Sequence, residues 1–449
     1  MSRSVSMSVP MFGTDGVRGT PGIYPLDEQT LTRIGAAIAQ ALSGEPVRLL
    51  AGRDTRESGP WIERHLARGV SAVRGTLVST GVLPTPAIAF LTAARGFDAG
   101  IVISASHNPF PDNGVKVLTA TGEKAPPELE ARIEALVADT SWKLVGQEAA
   151  AAETVDLSDA YVAHARQVLA GGRLGAWRVA VDCANGATTV VAARVLKEIG
   201  FDVMAINDVP NGRNINERCG SIHPEGLMAA VTAKECRLGI AFDGDGDRVI
   251  LVDDRGAIVD GDAMLFICAR HLQAAGRLTG NAIVATVMSN IGLEAALRET
   301  GISVHRCPVG DRNVRETMLE RGVVLGGEQS GHIILDEWLP TGDGLLTALS
   351  VIRVMADTGR TLSDLASELE TYPQALVNVP VRDKPPLDTI PDVADAIHHA
   401  EGLLADNGRV LVRYSGTEPL LRVMIEGRDQ AVVQELAGTI AERVRKHLS

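Results

Sequence analysis

Apolar and polar positions along the chain set out one pattern three times. The first copy opens with an apolar strand over Val47 to Ala51. A polar loop follows, then helical spacing from Trp61 to Val73 and a strand from Thr76 to Thr80. The second has a strand at Val179 to Asp182, a small-residue loop from Cys183 to Ala187, a helix that Gly200 stops after Ile199, and a strand at Asp202 to Ile206. The third runs from a strand at Ala282 to Val287, through a helix ending before Gly301, to a strand at Ser303 to Arg306. Strand, helix, glycine stop and strand is the signature of a parallel βαβ unit.

Each copy then adds a strand that runs into a conspicuous polar loop. Ala99 to Ile103 leads into SASHNP, Leu238 to Phe242 into DGDGDR, and Val323 to Leu325 into GGEQSGH. A short apolar return follows each loop: Val115 to Leu118, Val249 to Val252 and Ile333 to Leu335. Ligands of open α/β sheets sit outside the carboxyl ends of the strands, so three such loops point to one composite site. The tail departs from the pattern. Strands at Val377 to Val381, Val410 to Tyr414 and Leu421 to Glu426 and a closing helix predict a smaller α+β domain. We therefore expect α/β domains over 1–150, 151–255 and 256–374 and an α+β domain over 375–449. The stretch from Glu148 to Glu153 reads as an exposed connector or as helix.

Composition narrows the function. Hydrophobic residues make up 45 % and charged residues 22 % of the 449, ordinary globular values. No apolar run approaches the roughly 18 residues of a membrane span, and the start, MSRSVSMSVPMFG, lacks a signal-peptide core. A net charge of −13 argues against a nucleic-acid partner. It leaves room for a small anionic substrate in a local basic pocket. The cysteines, Cys183, Cys219, Cys236, Cys268 and Cys307, form no Cys-x-x-Cys pair; their odd count and irregular spacing fit a reducing cytoplasm rather than disulfides or zinc.

The loops carry the candidate chemistry. Ser106 in SASHNP lies just past a strand, flanked by His107 and Asn108. Asp112-Asn113-Gly114 reads as a hairpin turn that would return Lys116 to Ser106. A nucleophilic serine needs such a cation once it carries phosphate. His107 reads as a phosphate or loop residue, because neighbouring side chains of an extended segment point apart. Asp243, Asp245 and Asp247 alternate with glycines that let the backbone curl, which suits a hard cation. An EF-hand fits worse: Arg248 stands where its turn glycine belongs and Asp254 where its bidentate glutamate belongs. Mg²⁺ in a phosphate site fits better. Glu328, Ser330 and His332 suit sugar hydroxyls, or equally a structural glycine-rich turn. In RYSGTEP, Arg413, Ser415, the Gly416 amide and Thr417 can cradle a phosphate, with Arg422 one strand turn on. Arg18 sits in the glycine-rich FGTDGVRG. No GxxxxGK[ST] occurs, so ATP is not the phosphate source.

Taken in order, FGTDGVRG, SASHNPFPDNGVK, FDGDGDR, GGEQSGH and RYSGTEPLLRV resemble the α-D-phosphohexomutase superfamily over nearly the whole chain. CPVGDRNV, with Asp311-Arg312, and Gln329 resemble its amino-sugar branch. The resemblance implies three topologically similar α/β domains around a central cleft plus a smaller C-terminal domain. It implies interconversion of glucosamine 6-phosphate and glucosamine 1-phosphate, a step towards UDP-N-acetylglucosamine. By position, Ser106 would be the phosphoserine, and Asp243, Asp245 and Asp247, with Ser106, would hold one Mg²⁺. Arg18, Lys116 and His107 would flank the reacting centre. Arg248, Glu328, Ser330 and His332 would meet the sugar, and the RYSGTEP residues with Arg422 the non-reacting phosphate. Glucosamine or glucose 1,6-bisphosphate would prime the enzyme, unless a protein kinase first loads Ser106. A monomer or homodimer is expected. The competing readings are a glucose or mannose phosphate substrate, a sugar phosphatase, and a non-enzymatic sugar-phosphate or calcium-binding module.

Overall fold

A computed structural model describes residues 11–13, 15–42, 46–139, 141–142, 152–172, 174–415 and 419–448. The chain divides into two compact units, residues 1–288 with 305–367, and residues 289–304 with 368–449.

In the first unit, a six-stranded sheet holds β1 (Val17–Gly19), β2 (Arg48–Arg53), β3 (Thr76–Val82), β4 (Ala99–Ile103), β5 (Asn113–Thr119) and β6 (Glu153–Thr154), in the order β1-β5-β4-β2-β3-β6. Its helices are α1 (Glu28–Ala41), α2 (Gly59–Ala72), α3 (Thr85–Ala94) and α4 (Pro127–Ala138). After α5 (Ser158–Arg166) comes a second sheet of β7 (Arg178–Asp182), β8 (Asp202–Ile206), β9 (Leu238–Phe242), β10 (Val249–Val252) and β11 (Ile258–Val259). Its order is β11-β10-β9-β7-β8, with α6 (Ala192–Ile199) and α7 (Glu225–Ala233). Past α8 (Gly261–Ala274), a third sheet orders β12 (Ala282–Thr286), β13 (Ser303–Cys307), β14 (Leu325–Gly327) and β15 (Ile333–Leu335) as β13-β12-β14-β15. α9 (Ile291–Glu299) falls in the segment 289–304 of the second unit, and the helices that remain here are α10 (Asp311–Arg321), α11 (Gly344–Thr358) and α12 (Leu362–Ala366).

The repeat read from the sequence is therefore topological. β3-β2-β4-β5, β8-β7-β9-β10 and β13-β12-β14-β15 are one strand order, with the last strand antiparallel each time. β4 and β9 are buried along their whole length, as strands covered on both faces must be. Gly200 ends α6 at φ 110°, a left-handed cap.

One turn differs from expectation. Asn113 and Gly114 lie inside β5, and residues 104–112 form a longer loop. The Asn113 side chain is committed elsewhere: Nδ2 donates to Ser58 Oγ at 2.8 Å and Oδ1 accepts from the Gly114 amide. The antiparallel return itself holds, with Val102 opposite Lys116.

The second unit is built on β16 (Gln374–Pro380), β17 (Gly408–Tyr414) and β18 (Leu420–Gly427), ordered β16-β18-β17 and packed on α13 (Pro391–Leu404) and α14 (Gln430–Leu448). The segment 289–304 belongs with it. Asn290 Nδ2 donates to the Tyr372 carbonyl at 2.9 Å while the Tyr372 amide donates back to Asn290 Oδ1 at 3.0 Å.

Helix α1 buries Leu31, Ile34 and Ile38, an apolar stripe at helical spacing. It crosses α2 with almost no clearance. A Cβ on Gly69 would stand 1.9 Å from the Thr32 carbonyl oxygen and 2.7 Å from the Ala36 nitrogen. Gly69→Ala should force the helices apart and destabilise the protein by about 1–3 kcal/mol, seen as a lower urea midpoint. An unchanged midpoint would contradict this packing.

Candidate active site

The three strand-end loops of the first unit meet as the repetition predicts. Ser106 follows β4 and is buried, at φ 52°. Its Oγ donates to Asp243 Oδ2 at 2.6 Å. Asp243, Asp245 and Asp247 follow β9 and are likewise buried. Two loops can approach this closely because residue 244 is glycine: a Cβ there would lie 2.6 Å from the Ser106 carbonyl oxygen.

The expected separation of Ser106 and His107 is corrected. The positive φ takes the segment out of the extended form, and Ser106 Oγ lies 3.3 Å from His107 Nδ1. Arg248 Nη1 is 3.2 Å from the same nitrogen. Burial, then Arg248 and Arg18, hold the His107 imidazole below its ordinary range.

Lys116 reaches the cluster from β5, the neighbour of β4. Its Nζ donates to Asp245 Oδ2 at 3.0 Å and stands 3.1 Å from Asp15 and 3.6 Å from Asp247. Burial opposes its charge, yet Asp15, Asp245 and Asp247 together hold it well above the usual lysine range. Arg18 bonds Asp15 and donates through Nη1 to the Ala105 carbonyl at 3.0 Å. The third loop joins through His332. His332 Nδ1 is 3.8 Å from Asp247, and its Nε2 accepts the Gly342 amide at 3.2 Å. Glu328 accepts the Gly310 amide at 3.0 Å, and Ser330 Oγ lies 3.4 Å from its second oxygen.

Sequence reading passed over Asp15, Lys124 and Thr85 here. Asp15 gathers Lys116, Lys124 and Arg18. Lys124 Nζ bonds Asp15 and Asp311 at 3.0 Å each, tying the α10 end to the first sheet. Arg312 adds a 2.7 Å bond to Glu130. Thr85, which opens α3, donates to Asp245 Oδ2 at 2.7 Å, and its amide to the Asp245 carbonyl at 2.9 Å. Contacts spanning 100 residues or more leave no local signal. Only Asp15 had one, beside Arg18 in a glycine-rich loop.

The aspartates fit a hard cation. One oxygen from each of Asp243, Asp245 and Asp247 lies within 4.8 Å of the others. Oδ1 of Asp245 and of Asp247 are buried without a hydrogen-bond partner. Burial, with Asp247 and Asp245 close by, pushes the Asp243 carboxyl well above its ordinary range. A further positive charge would relieve all three strains.

Arg413, Ser415 and Arg422 lie in the second unit. Arg413 and Arg422 are cross-strand partners in the β17–β18 pair, which puts the two residues on one face of the sheet. The Ser415 amide donates to the Leu420 carbonyl at 2.8 Å and its carbonyl accepts Lys384 Nζ at 2.6 Å. Gly416 and Thr417 fall outside the described residues.

The whole chain has relatives. Residues 9–143, 159–256 and 260–372 match the alpha/beta/alpha domains I, II and III of the phosphoglucomutase/phosphomannomutase family, and residues 376–443 its C-terminal domain. A phosphoglucosamine mutase of Moorella thermoacetica is 48 % identical over 432 residues, covering 95 % of this chain and 97 % of that one. Among solved structures, a phosphoglucomutase/phosphomannomutase family protein of Burkholderia thailandensis superposes with a TM-score of 0.80 at 24 % identity, covering 98 % of each chain. N-acetylphosphoglucosamine mutase of Aspergillus fumigatus, solved with GlcNAc-6P and magnesium, gives a TM-score of 0.69 at 18 % identity over 98 % of this chain and 96 % of that one.

If the aspartates bind a cation, millimolar Mg²⁺ should raise the melting temperature. At one hundred times its Kd it would stabilise the fold by about 2.7 kcal/mol. Asp245→Asn should remove most of that shift. A melting temperature indifferent to Mg²⁺ in the wild type would refute the cation site.

Proposed function

The chain belongs to the phosphoglucosamine mutases, and on that premise we propose that Ser106 carries the phosphoryl group between the two ends of glucosamine phosphate. The observation that carries this reading is the Ser106 hydroxyl bonded to Asp243 at 2.6 Å, inside a cluster that gathers Lys116, Arg18 and Arg248.

In this reading phospho-Ser106 passes its phosphoryl group to O1 of glucosamine 6-phosphate. The 1,6-bisphosphate turns over, and Ser106 Oγ takes back the phosphoryl group from O6. Covalent demands on the protein are small; in-line positioning and neutralisation of the phosphoryl oxygens do most of the work. Lys116 and Arg18 supply fixed positive charge beside Ser106. Asp243, Asp245 and Asp247 would hold Mg²⁺, which when bound neutralises phosphoryl oxygens. Glu328 and Ser330 accept from and donate to sugar hydroxyls, with His332 and Arg248 completing that wall. The fungal neighbour's GlcNAc-6P and magnesium are ligands of the chemistry proposed here.

Arg413, Ser415, Arg422 and, by position, Gly416 and Thr417 enter as phosphate-binding groups, supported by the resemblance and by the paired arginines. Glucosamine or glucose 1,6-bisphosphate serves as primer, with a kinase as the other route to a loaded Ser106. No described helix is long and apolar enough to cross a membrane. The five cysteines are free, in keeping with a cytoplasmic site of action.

Two experiments test this. Ser106→Ala should lose nearly all mutase turnover and keep its fold, and intact mass should show a phosphate on the wild type that the variant lacks. Full turnover in Ser106→Ala would end the assignment. Arg413→Ala should raise KM for glucosamine 6-phosphate roughly 10- to 100-fold, since a hydrogen bond to a charged group contributes about 1.5–3 kcal/mol. If KM and kcat both stay at wild-type values, the phosphate is held elsewhere.

A further inference from the structure

Arg56 heads the fully buried side chains by size, and none of the chemistry above uses it. All five of its side-chain N–H groups are engaged. Nε donates to Asp54 Oδ2 at 2.9 Å. Nη1 donates to the carbonyls of Pro109 and Asp112, and Nη2 to those of Ser106 at 3.0 Å and Asn108 at 2.7 Å. Four of the five bonds therefore grip the backbone of the nucleophile loop. Asp54 also accepts Ser104 Oγ at 2.6 Å, and that hydroxyl accepts the Ser106 amide at 2.9 Å. From the second α/β domain, Asn216 Nδ2 donates to the same two carbonyls, Ser106 at 2.9 Å and Asn108 at 3.0 Å.

This network explains a conformation that serine alone would not choose. Ser106 sits in the left-handed region, with φ at 52°. Non-glycine residues stay there only when their surroundings over-determine the backbone. Here the Ser106 amide is fixed by Ser104, and its carbonyl is fixed twice, by Arg56 and by Asn216. Released from that grip, the loop would relax towards the ordinary regions and swing Oγ away from Asp243. A planar fork with five donors is what spans four carbonyls and a carboxylate; a lysine ammonium, with three donors at one point, does not.

We propose that Arg56, with its counter-ion Asp54 and with Asn216, is a positioning group for phosphoryl transfer, aiming the Ser106 hydroxyl by fixing the backbone on both sides of it. The proposal rests on Ser106 being the phosphate carrier. A purely structural clamp would lower stability when broken and leave turnover in the surviving folded protein unchanged. A positioning clamp loses kcat, because a displacement of about 1 Å can cost about 100-fold in rate.

The test is Arg56→Lys and Asn216→Ala in the full-length enzyme. Steady-state kinetics would use glucosamine 6-phosphate, and rapid-quench intact mass would follow phosphate uptake from glucose 1,6-bisphosphate. The expected result is kcat lower by about 100-fold in Arg56→Lys and about 10-fold in Asn216→Ala, KM within about twofold of wild type, and phosphate uptake slowed in proportion. Folded variants that keep wild-type kcat, or that lose only in KM, would overturn the proposal. Should Arg56→Lys fail to fold by circular dichroism, Asn216→Ala decides by the same criteria. A wild type that never takes phosphate on Ser106 would instead sink the phosphoserine reading. Uptake by the wild type with unaffected variants would sink only the positioning role.

Discussion

Three aspartate carboxylates buried around one point are the constraint on which the rest of the first unit turns. Asp243, Asp245 and Asp247 would repel one another in a low-dielectric site. Their partners are drawn from all three α/β domains. Lys116 and Thr85 come from the first, Arg248 from the second and His332 from the third. Each partner is fixed in turn by others. Asp15 holds Lys116, Lys124 holds Asp15, and Asp311 holds Lys124. Charge balance at the centre thus specifies how three similar domains dock, and the docked domains bring the Ser106 loop to Asp243.

Close approach is the second requirement, and backbone meets it where side chains cannot. The metal-type loop passes the Ser106 carbonyl with glycine at residue 244, and Gly246 takes the positive φ its curl needs. A chain with larger residues at these places could still form each sheet. It could not bring Ser106 Oγ to 2.6 Å from Asp243 Oδ2.

Much of this was legible in the sequence, for physical reasons. Buried parallel strands must be unbroken apolar runs, so Ala99–Ile103 and Leu238–Phe242 stood out with the limits the structure gives them. Strand ends in open α/β sheets collect ligands, so the repeat itself announced a composite site. What escaped was non-local or conformational. Asn113-Gly114 has turn chemistry, but pairing with Gly19 and Arg18 of β1 and a bond to Ser58 overrode it. Nothing local marks Ser106 as left-handed, so its contact with His107 was missed. Arg56 and Thr85 act on partners about 50 and 160 residues away along the chain, beyond any pattern of neighbours. Likewise, periodicity puts α9 in the third repeat, while its contacts place it with the C-terminal unit through Asn290 and Tyr372.

Phosphohexomutases and phosphatases share these ingredients, and what separates them is where the phosphoryl group goes. A serine buried beneath fixed cations should hand it to a sugar hydroxyl held in line and withhold it from water. Single turnover measures that directly. Enzyme carrying radiolabelled phosphate on Ser106 would be mixed with unlabelled glucosamine 6-phosphate and quenched over milliseconds to seconds. The account predicts label in the sugar 1,6-bisphosphate and glucosamine 1-phosphate, appearing at least as fast as steady-state turnover. Label released chiefly as inorganic phosphate, or retained on the protein while turnover proceeds, would contradict it.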